Sequence, residues 1–310
     1  MIDPGNTHVT VLMGGWSAER EVSLASGNAC TEALREAGFQ VTPIDMRRDI
    51  ASVLVELMPD VVFNALHGKW GEDGTVQGIL ETLQIPYTHS GVLASAIAMH
   101  KEKSKIMFRA AGLPVADSRI ADLETVATTH VLPPPYVVKP IAEGSSVGVK
   151  IVPHGTNAPL SELASQADVY GPRVMVERYV AGRELTCAVM GDVALGVIDI
   201  VPAAGFYDYA AKYVPGGSVH VLPAEIPNDV YRKIQQIALE AHMALGCKGV
   251  SRADFRYDDR PGSDGELVIL EVNTQPGMTG TSLVPEMAAH AGHSFPELVT
   301  WMVQDASINR

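Results

Sequence analysis

The stretch His8-Val9-Thr10-Val11-Leu12-Met13-Gly14-Gly15 decides how the amino-terminal third of the chain is built. Val9-Thr10-Val11-Leu12 suits a strand buried on both faces, and the glycine pair stops it. Ser23 to Ala37, rich in small and apolar residues and closed by Gly38, reads as a helix. The strand Gln40 to Ile44 and a third, Val61-Val62-Phe63-Asn64-Ala65-Leu66, complete a βαβ rhythm, which implies a parallel sheet. Val76, Ile79, Leu80 and Leu83 fall at i, i+3, i+4 and i+7 and predict a further helix behind the turn-rich segment His67 to Gly74. His67 therefore stands where a strand ends, at the edge where open α/β sheets take their ligands.

Working outward, the pattern changes near residue 96 to a helix around Lys101 to Ala111. Pro133-Pro134-Pro135 then forms a linker-like stop before the strand Tyr136-Val137-Val138-Lys139. Beyond it, short strands (Val174 to Tyr179, Glu184 to Met190, Val193 to Ile198) follow one another without helices, which predicts antiparallel pairing in an α+β region. One long amphipathic helix is expected over Val230 to Leu245. Neither a Gly-x-Gly-x-x-Gly turn nor a Walker A loop occurs, so any nucleotide must be held differently.

The 310 residues allow roughly two domains, at about 150 residues each. Apolar residues make up 46% and charged residues 19%, which excludes a disordered chain. With 23 basic and 36 acidic residues the net charge is −13, which argues against nucleic acid and an anionic membrane surface as partners. Cys30, Cys187 and Cys247 lie far apart with no Cys-x-x-Cys, so neither a zinc knuckle nor a disulfide framework is expected and a reducing compartment fits. No basic stretch precedes an apolar run at the amino terminus, and no 18 apolar residues occur in succession, so the expected location is the cytosol.

The sharpest chemical cluster is Arg252-Ala253-Asp254 with Glu271-Val272-Asn273, each on an expected strand, where residues two apart share a face. Asp254, Glu271 and Asn273 are hard oxygen donors, too few to complete an octahedron, which suits Mg²⁺ finished by water and phosphate. Arg252 beside them can neutralise charge developing on a phosphoryl or acyl oxygen. A solvated strand face is the alternative for any one of these carboxylates, but the four in register favour a site.

Lys139-Pro140 leads into Glu143-Gly144-Ser145-Ser146-Val147-Gly148, a Gly/Ser turn whose amides can cover phosphates. The same residues match Gly-x-Ser-x-Gly, so a serine hydrolase with Ser146 as nucleophile is a second reading, and a plain hairpin a third. The alternation after Ser146 suits a strand, whereas a nucleophile elbow needs a helix there. Gly205-Phe206-Tyr207-Asp208-Tyr209 with Lys212-Tyr213 reads either as a lid that excludes water or as an aromatic plug. Gly14-Gly15-Trp16-Ser17-Ala18-Glu19 is a strand-to-helix turn with free amides, in which Ser17 or Ser23 is expected to cap the helix and Glu19 can hold an ammonium group. His290 and His293, spaced i, i+3 on one expected helix, read as surface residues.

Taken in order along the chain, these motifs resemble the D-alanine:D-alanine ligases of the ATP-grasp superfamily. The residues that carry the resemblance are Gly14-Gly15-x-Ser17-x-Glu19-Arg20-Glu21-Val22-Ser23, Ala65-Leu66-His67-Gly68 with Gly71 to Gly74, Lys139 to Gly148, Tyr207-Asp208-Tyr209 with Lys212-Tyr213, and Glu271-x-Asn273-Thr274-x-Pro276-Gly277-Met278-Thr279. The resemblance spans residue 9 to about 300 and implies a Rossmann-like α/β domain over 1–95, a central ATP-grasp subdomain over 96–180, and a second over 181–310 that carries lid and metal site. It implies that ATP phosphorylates one D-alanine and the amine of a second attacks the acyl phosphate, giving D-alanyl-D-alanine for peptidoglycan precursors in a cytoplasmic homodimer.

By the same resemblance Lys101, Lys139 and Lys212 contact ATP phosphates, Glu177 and the Val180 backbone meet the adenine, and Glu184 holds the ribose. Asp254, Glu271 and Asn273 match the ligands of two Mg²⁺ or Mn²⁺ ions. Glu19 matches the residue that orients the first ammonium group, Ser145 and Tyr213 the hydroxyls that tie the lid to it, and His67 a residue near the first carboxylate. Arg252 and the Gly277 amide correspond to the oxyanion pair, while Ser282 and Leu283 line the second D-alanine site. His100 before Lys101 and Thr281 before Ser282 depart from the commoner acid and histidine. A D-alanyl-D-lactate-forming ligase, the Ser146 hydrolase and a non-catalytic small-ligand binder are the competing functions.

Overall fold

A computed structural model of the chain describes residues 3–144, 148–202 and 217–310. The amino-terminal unit is β1 (His8–Met13), α1 (Arg20–Glu36), β2 (Gln40–Asp45), α2 (Ile50–Leu57), β3 (Val61–Asn64) and α3 (Thr75–Leu83). Its strands pair in parallel in the order β2-β1-β3, as the βαβ rhythm predicts. Val9, Val11 and Leu12 are fully buried because helices cover the sheet.

Two helices lead onward, α4 (Val92–Met99) and α5 (Lys101–Ala110), where a single one is expected. His100 between them is extended and caps α5 by accepting from the Lys103 amide. The second sheet, ordered β4-β7-β5-β6, contains β4 (Ser118–Asp122), β5 (Tyr136–Pro140) and β6 (Lys150–Val152), with α6 (Leu123–Thr128) and α7 (Ala167–Tyr170) before β7 (Arg173–Arg178). The third, β10-β9-β8-β11-β12, comprises β8 (Arg183–Met190), β9 (Val193–Pro202), β10 (Ser218–Val221), then α8 (Asn228–Leu245), β11 (Val250–Tyr257) and β12 (Leu267–Asn273). Both later sheets are antiparallel throughout. Helices α9 (Leu283–His290) and α10 (Phe295–Asp305) close the chain.

One core cluster fastens the first sheet to the last helices: Val9, Val11 and Phe63 pack with Met287, Leu298, Val299 and Met302, and with Ala188 and Ile198 of the third sheet. A second cluster joins the apolar face of α8 to the opposite side of that sheet. No helix among the described residues is long and apolar enough to cross a membrane.

Several boundaries differ from the sequence reading. Helix α1 starts at Arg20, three residues early, and β3 stops at Asn64, because Asn64 turns its side chain onto the backbone of Leu66 and Gly71. His290 and His293 do not share a helix: left-handed Gly292 breaks the chain between them, and Ser294 with Glu297 starts α10 with a capping box. Helices α2, α4 and α6 are additions, short elements stabilised by packing more than by periodicity.

Candidate active site

The β11/β12 ladder sets Arg252 opposite Asn273 and Asp254 opposite Glu271, so the four polar side chains share one face as the alternation requires. Arg252 is bidentate on Asp254, at 2.8 Å for both Nε–Oδ1 and Nη2–Oδ2, and the Thr186 hydroxyl donates to the same carboxylate at 2.6 Å. Asn273 Oδ1 accepts from the Gln275 amide at 2.8 Å. Gln275 in turn exchanges hydrogen bonds with Asn64 at the end of β3, which ties the turn after β12 to the first sheet.

Lys101, the first residue of α5, reaches across to this face: its Nζ lies 3.4 Å from Glu271 Oε2 and donates to the Glu143 carbonyl at 2.6 Å. It stands between two adjoining cavities that share Lys101, Glu143, Gly144 and Glu271. The first cavity is walled by Glu19, His67, Glu72, Arg252, Asn273, Gly277, Ser282 and Leu283. The second is walled by Val137, Lys139, Glu177, Val180, Glu184, Asp254, Arg256 and Leu270. A molecule in one can thus meet a molecule in the other at the Lys101–Glu271 junction.

In the first cavity Glu19, at the start of α1, packs against Gly68, where a Cβ would lie 2.5 Å from the Glu19 carboxylate; Gly68 is left-handed as well. The expectation that Ser17 or Ser23 caps α1 is corrected. Ser17 donates to the His67 carbonyl at 2.7 Å, and Ser23 bridges the Gly14 amide and the Ala65 carbonyl, so both serve to fasten the two turns together. His67 is buried, with Nδ1 3.1 Å from Glu72 Oε1 and Nε2 3.0 Å from Ser26 Oγ. Ser26 also accepts from the Met278 amide at 3.2 Å, linking His67 to the turn that carries Gly277. Ser282 Oγ accepts from the Thr279 amide at 2.9 Å and sits so close to Gly277 that a Cβ there would meet it at 2.9 Å.

In the second cavity Val137 and Glu177 face each other across β5 and β7, which puts Lys139 on the same face one step along. Glu177 Oε2 lies 3.2 Å from Lys139 Nζ and 3.0 Å from Nζ of the buried Lys105. Burial alone would push the Glu177 carboxyl up, but Lys139 and Lys105 outweigh it and hold it below the ordinary range. Burial pulls the Lys105 ammonium down from its ordinary value, with Glu177 opposing. Glu184 pairs with Arg256 at 3.3 Å, directly opposite on β11. Arg256 also donates to the Val180 and Gly182 carbonyls, so the Val180 carbonyl is already engaged.

All described residues expected at the site are therefore brought to these two cavities, while Ser145, Ser146, Lys212 and Tyr213 lie outside the described residues. Sequence reasoning gave no role to Arg256, which the Arg252-x-Asp254-x-Arg256 alternation signals, to Glu72, which lies within the quoted Gly71 to Gly74 motif, or to Ser26 and Lys105, which carry no motif of their own. The donor set of Asp254, Glu271 and Asn273 fits a hard divalent cation, since two carboxylates and an amide oxygen face the junction of the cavities. Arg252 and Lys101 now neutralise the two carboxylates, positive charge placed where a cation would act. Among the described residues no group of three or more His, Cys, Asp or Glu side chains could hold a metal without the amide.

Comparisons with known proteins point to one family. The family models described as D-ala D-ala ligase N-terminus and C-terminus match residues 49–90 and 107–304. The chain is 66% identical over 304 residues to the D-alanine–D-alanine ligase of Methylobacterium radiotolerans, covering 98% of this chain and 99% of that one. It is 61% identical over 304 residues to that of Rhizobium meliloti, with the same coverage. Among solved structures, the D-alanine–D-alanine ligase of Bacillus anthracis complexed with ATP superposes with a TM-score of 0.78 at 31% identity, covering 96% of this chain and 97% of that one.

Proposed function

Since the chain belongs to the D-alanine–D-alanine ligase family, we propose that its two adjoining cavities take D-alanine and ATP and join two D-alanines with release of ADP and phosphate. The family's function, ATP-dependent synthesis of D-alanyl-D-alanine for peptidoglycan, is the reading of the whole protein. The observation that carries it is the junction at Lys101 and Glu271, where a nucleotide in the cavity of Lys139 and Glu184 would present its terminal phosphate to a carboxylate in the cavity of Glu19 and His67.

The reaction balances without a protein nucleophile. A carboxylate oxygen of the first D-alanine attacks the γ-phosphorus of ATP, and ADP leaves. The amine of the second D-alanine attacks the acyl phosphate carbon, the tetrahedral intermediate expels phosphate, and the proton lost by the nitrogen leaves on the phosphate. Catalysis is then positioning and charge placement. Glu19 orients the first ammonium group and His67 stands at the first carboxylate. Lys101 and Lys139 hold phosphate oxygens, with Lys212 beside them, and Glu177, the Val180 backbone and Glu184 take the nucleoside. Arg252 and the Gly277 amide meet the developing oxyanion, and Ser282 with Leu283 bounds the second D-alanine. Ser145 and Tyr213 complete the cover. Asp254, Glu271 and Asn273 would hold Mg²⁺ or Mn²⁺, which when bound neutralises phosphate charge.

A homodimer, a cytoplasmic location and a division at 1–95, 96–180 and 181–310 belong to the same proposal. The three separate sheets support the division, and the buried, unpaired Cys30, Cys187 and Cys247 support a reducing environment. The D-lactate-forming and serine-hydrolase alternatives are not favoured, because the relatives are D-alanine–D-alanine ligases. Coupled ADP release with each alanine enantiomer tests the function. Turnover is expected with D-alanine and not with L-alanine, and equal turnover with both would overturn it.

A further inference from the structure

We propose that Lys105, behind the nucleotide cavity, is a positioning residue for ATP: by sharing Glu177 with Lys139 it leaves the group with one net positive charge directed at the phosphates. The inference rests on the reading of that cavity as the ATP site.

Lys101 and Lys105 are one helical turn apart on α5, so both project toward the second sheet. Lys101 lines the cavity; Lys105 does not. Its ammonium group is almost fully buried, with side-chain exposure of 1%, and Glu177 Oε2 at 3.0 Å is its counter-charge. The same oxygen lies 3.2 Å from Lys139 Nζ, and Lys139 does face the cavity. Two ammonium groups thus share one carboxylate, and the sum is +1.

A pair of Lys139 and Glu177 alone would be neutral, and the Lys139 ammonium would be spent on its neighbour. The second lysine frees that charge for a ligand. Stability does not explain the arrangement, because burying an ammonium group is costly and a buried ion pair is often matched or bettered by an apolar residue of similar volume. A methionine would fill the space of Lys105 without that cost. Among the described residues Arg109, one further turn along α5, also acts on Lys105; it lies at the surface and donates to Ser118.

The test compares equilibrium binding of ATP and of adenosine, by calorimetry and competition, to wild type, Lys105→Met and Lys105→Met/Glu177→Gln. Removing a unit charge that acts over roughly 10 Å through an effective dielectric of about 20 should weaken ATP about tenfold. Adenosine, which has no phosphate, should bind Lys105→Met as it binds wild type. The double variant removes the Lys105 and Glu177 charges together, restores the +1 sum on Lys139 and should recover the wild-type ratio of ATP to adenosine affinity; Lys105→Gln, which keeps a polar group beside Glu177 and gives the same neutral sum, serves as the single variant if Lys105→Met does not fold. In kinetics KM for ATP should rise in Lys105→Met while KM for D-alanine stays level. Equal weakening of ATP and adenosine, unchanged ATP affinity in Lys105→Met, or a double variant whose ratio stays low would each overturn the inference. A wild type that binds no ATP would overturn instead the functional reading beneath it.

Discussion

Arg252 grips Asp254, its neighbour two residues along β11, with both of its paired hydrogen bonds at 2.8 Å. A cation proposed for the oxyanion and a carboxylate proposed for the metal thus neutralise each other, and each is available once the other finds its ligand. Both side chains are mostly buried, so the pair is not screened as a surface pair would be.

Arg252→Ala should lower kcat on the order of a hundredfold or more, since losing one preorganised oxyanion donor costs about 2.7 to 4 kcal/mol. KM for ATP should move far less, because Lys101 and Lys139 remain. Arg252→Lys should recover little, as a single ammonium cannot reproduce the planar fork that matches Asp254. Steady-state kinetics of the two variants decide this, and a normal kcat with weakened ATP would reassign Arg252 to phosphate binding.

Chelation of divalent metal should abolish ADP formation, and Mg²⁺ or Mn²⁺ should restore it. Glu271→Gln should raise the metal concentration for half-maximal rate by at least about tenfold, because even loss of an outer contact to a metal ligand costs about 10- to 100-fold. A metal titration of the coupled assay measures this, and undiminished turnover of the variant at low Mg²⁺ would remove Glu271 from the metal site.

Ser26→Ala deletes a fully buried hydroxyl that serves both His67 Nε2 and the Met278 amide. The two groups left without a partner should lower stability by about 1 to 3 kcal/mol. Because His67 and Gly277 both wall the first cavity, KM for D-alanine should rise while KM for ATP does not. Denaturant unfolding and the two KM values check the prediction together; a loss of stability with both KM values unchanged would leave Ser26 a purely structural link.

Stability should fall as pH drops below about 6.5. Burial lowers His89 to about 3, and His242, also buried and 2.7 Å from Ser251, to about 4, so the unfolded chain takes up protons that the folded chain refuses. The sign is that of depressed groups: their contribution is present above the unfolded value near 6.5 and is lost toward the folded values. In that window each histidine should contribute a slope of about 1.4 kcal/mol per pH unit. Unfolding curves from pH 7 to 4 measure it, and His242→Gln should flatten the slope by one histidine's share.

Local chemistry was legible from residue order. β-branched runs bounded by glycines placed β1, and alternation put Arg252, Asp254, Glu271 and Asn273 on one face, because side-chain direction in a strand depends only on residue parity. Gly68 was legible as part of a turn-rich segment and Gly277 through the motif resemblance; the structure adds the reason, since a Cβ would lie 2.5 Å from the Glu19 carboxylate at Gly68 and 2.9 Å from Ser282 Oγ at Gly277. Roles such as those of Glu19, Lys101 and Glu184 came from the motif resemblance, which places residues without saying what they touch. Only the tertiary structure decided that Arg252 is bidentate on Asp254, that Lys101 divides two cavities, and that Lys105 and Ser26 support the site from behind. Apart from the Arg252–Asp254 pair, these facts join residues about 40 to more than 200 positions apart, such as Ser26 and Met278 or Lys105 and Glu177. No local pattern encodes such pairs, because burial on a shared core brings them together, and a lone lysine or serine on a helix reads the same whether it meets water or a partner.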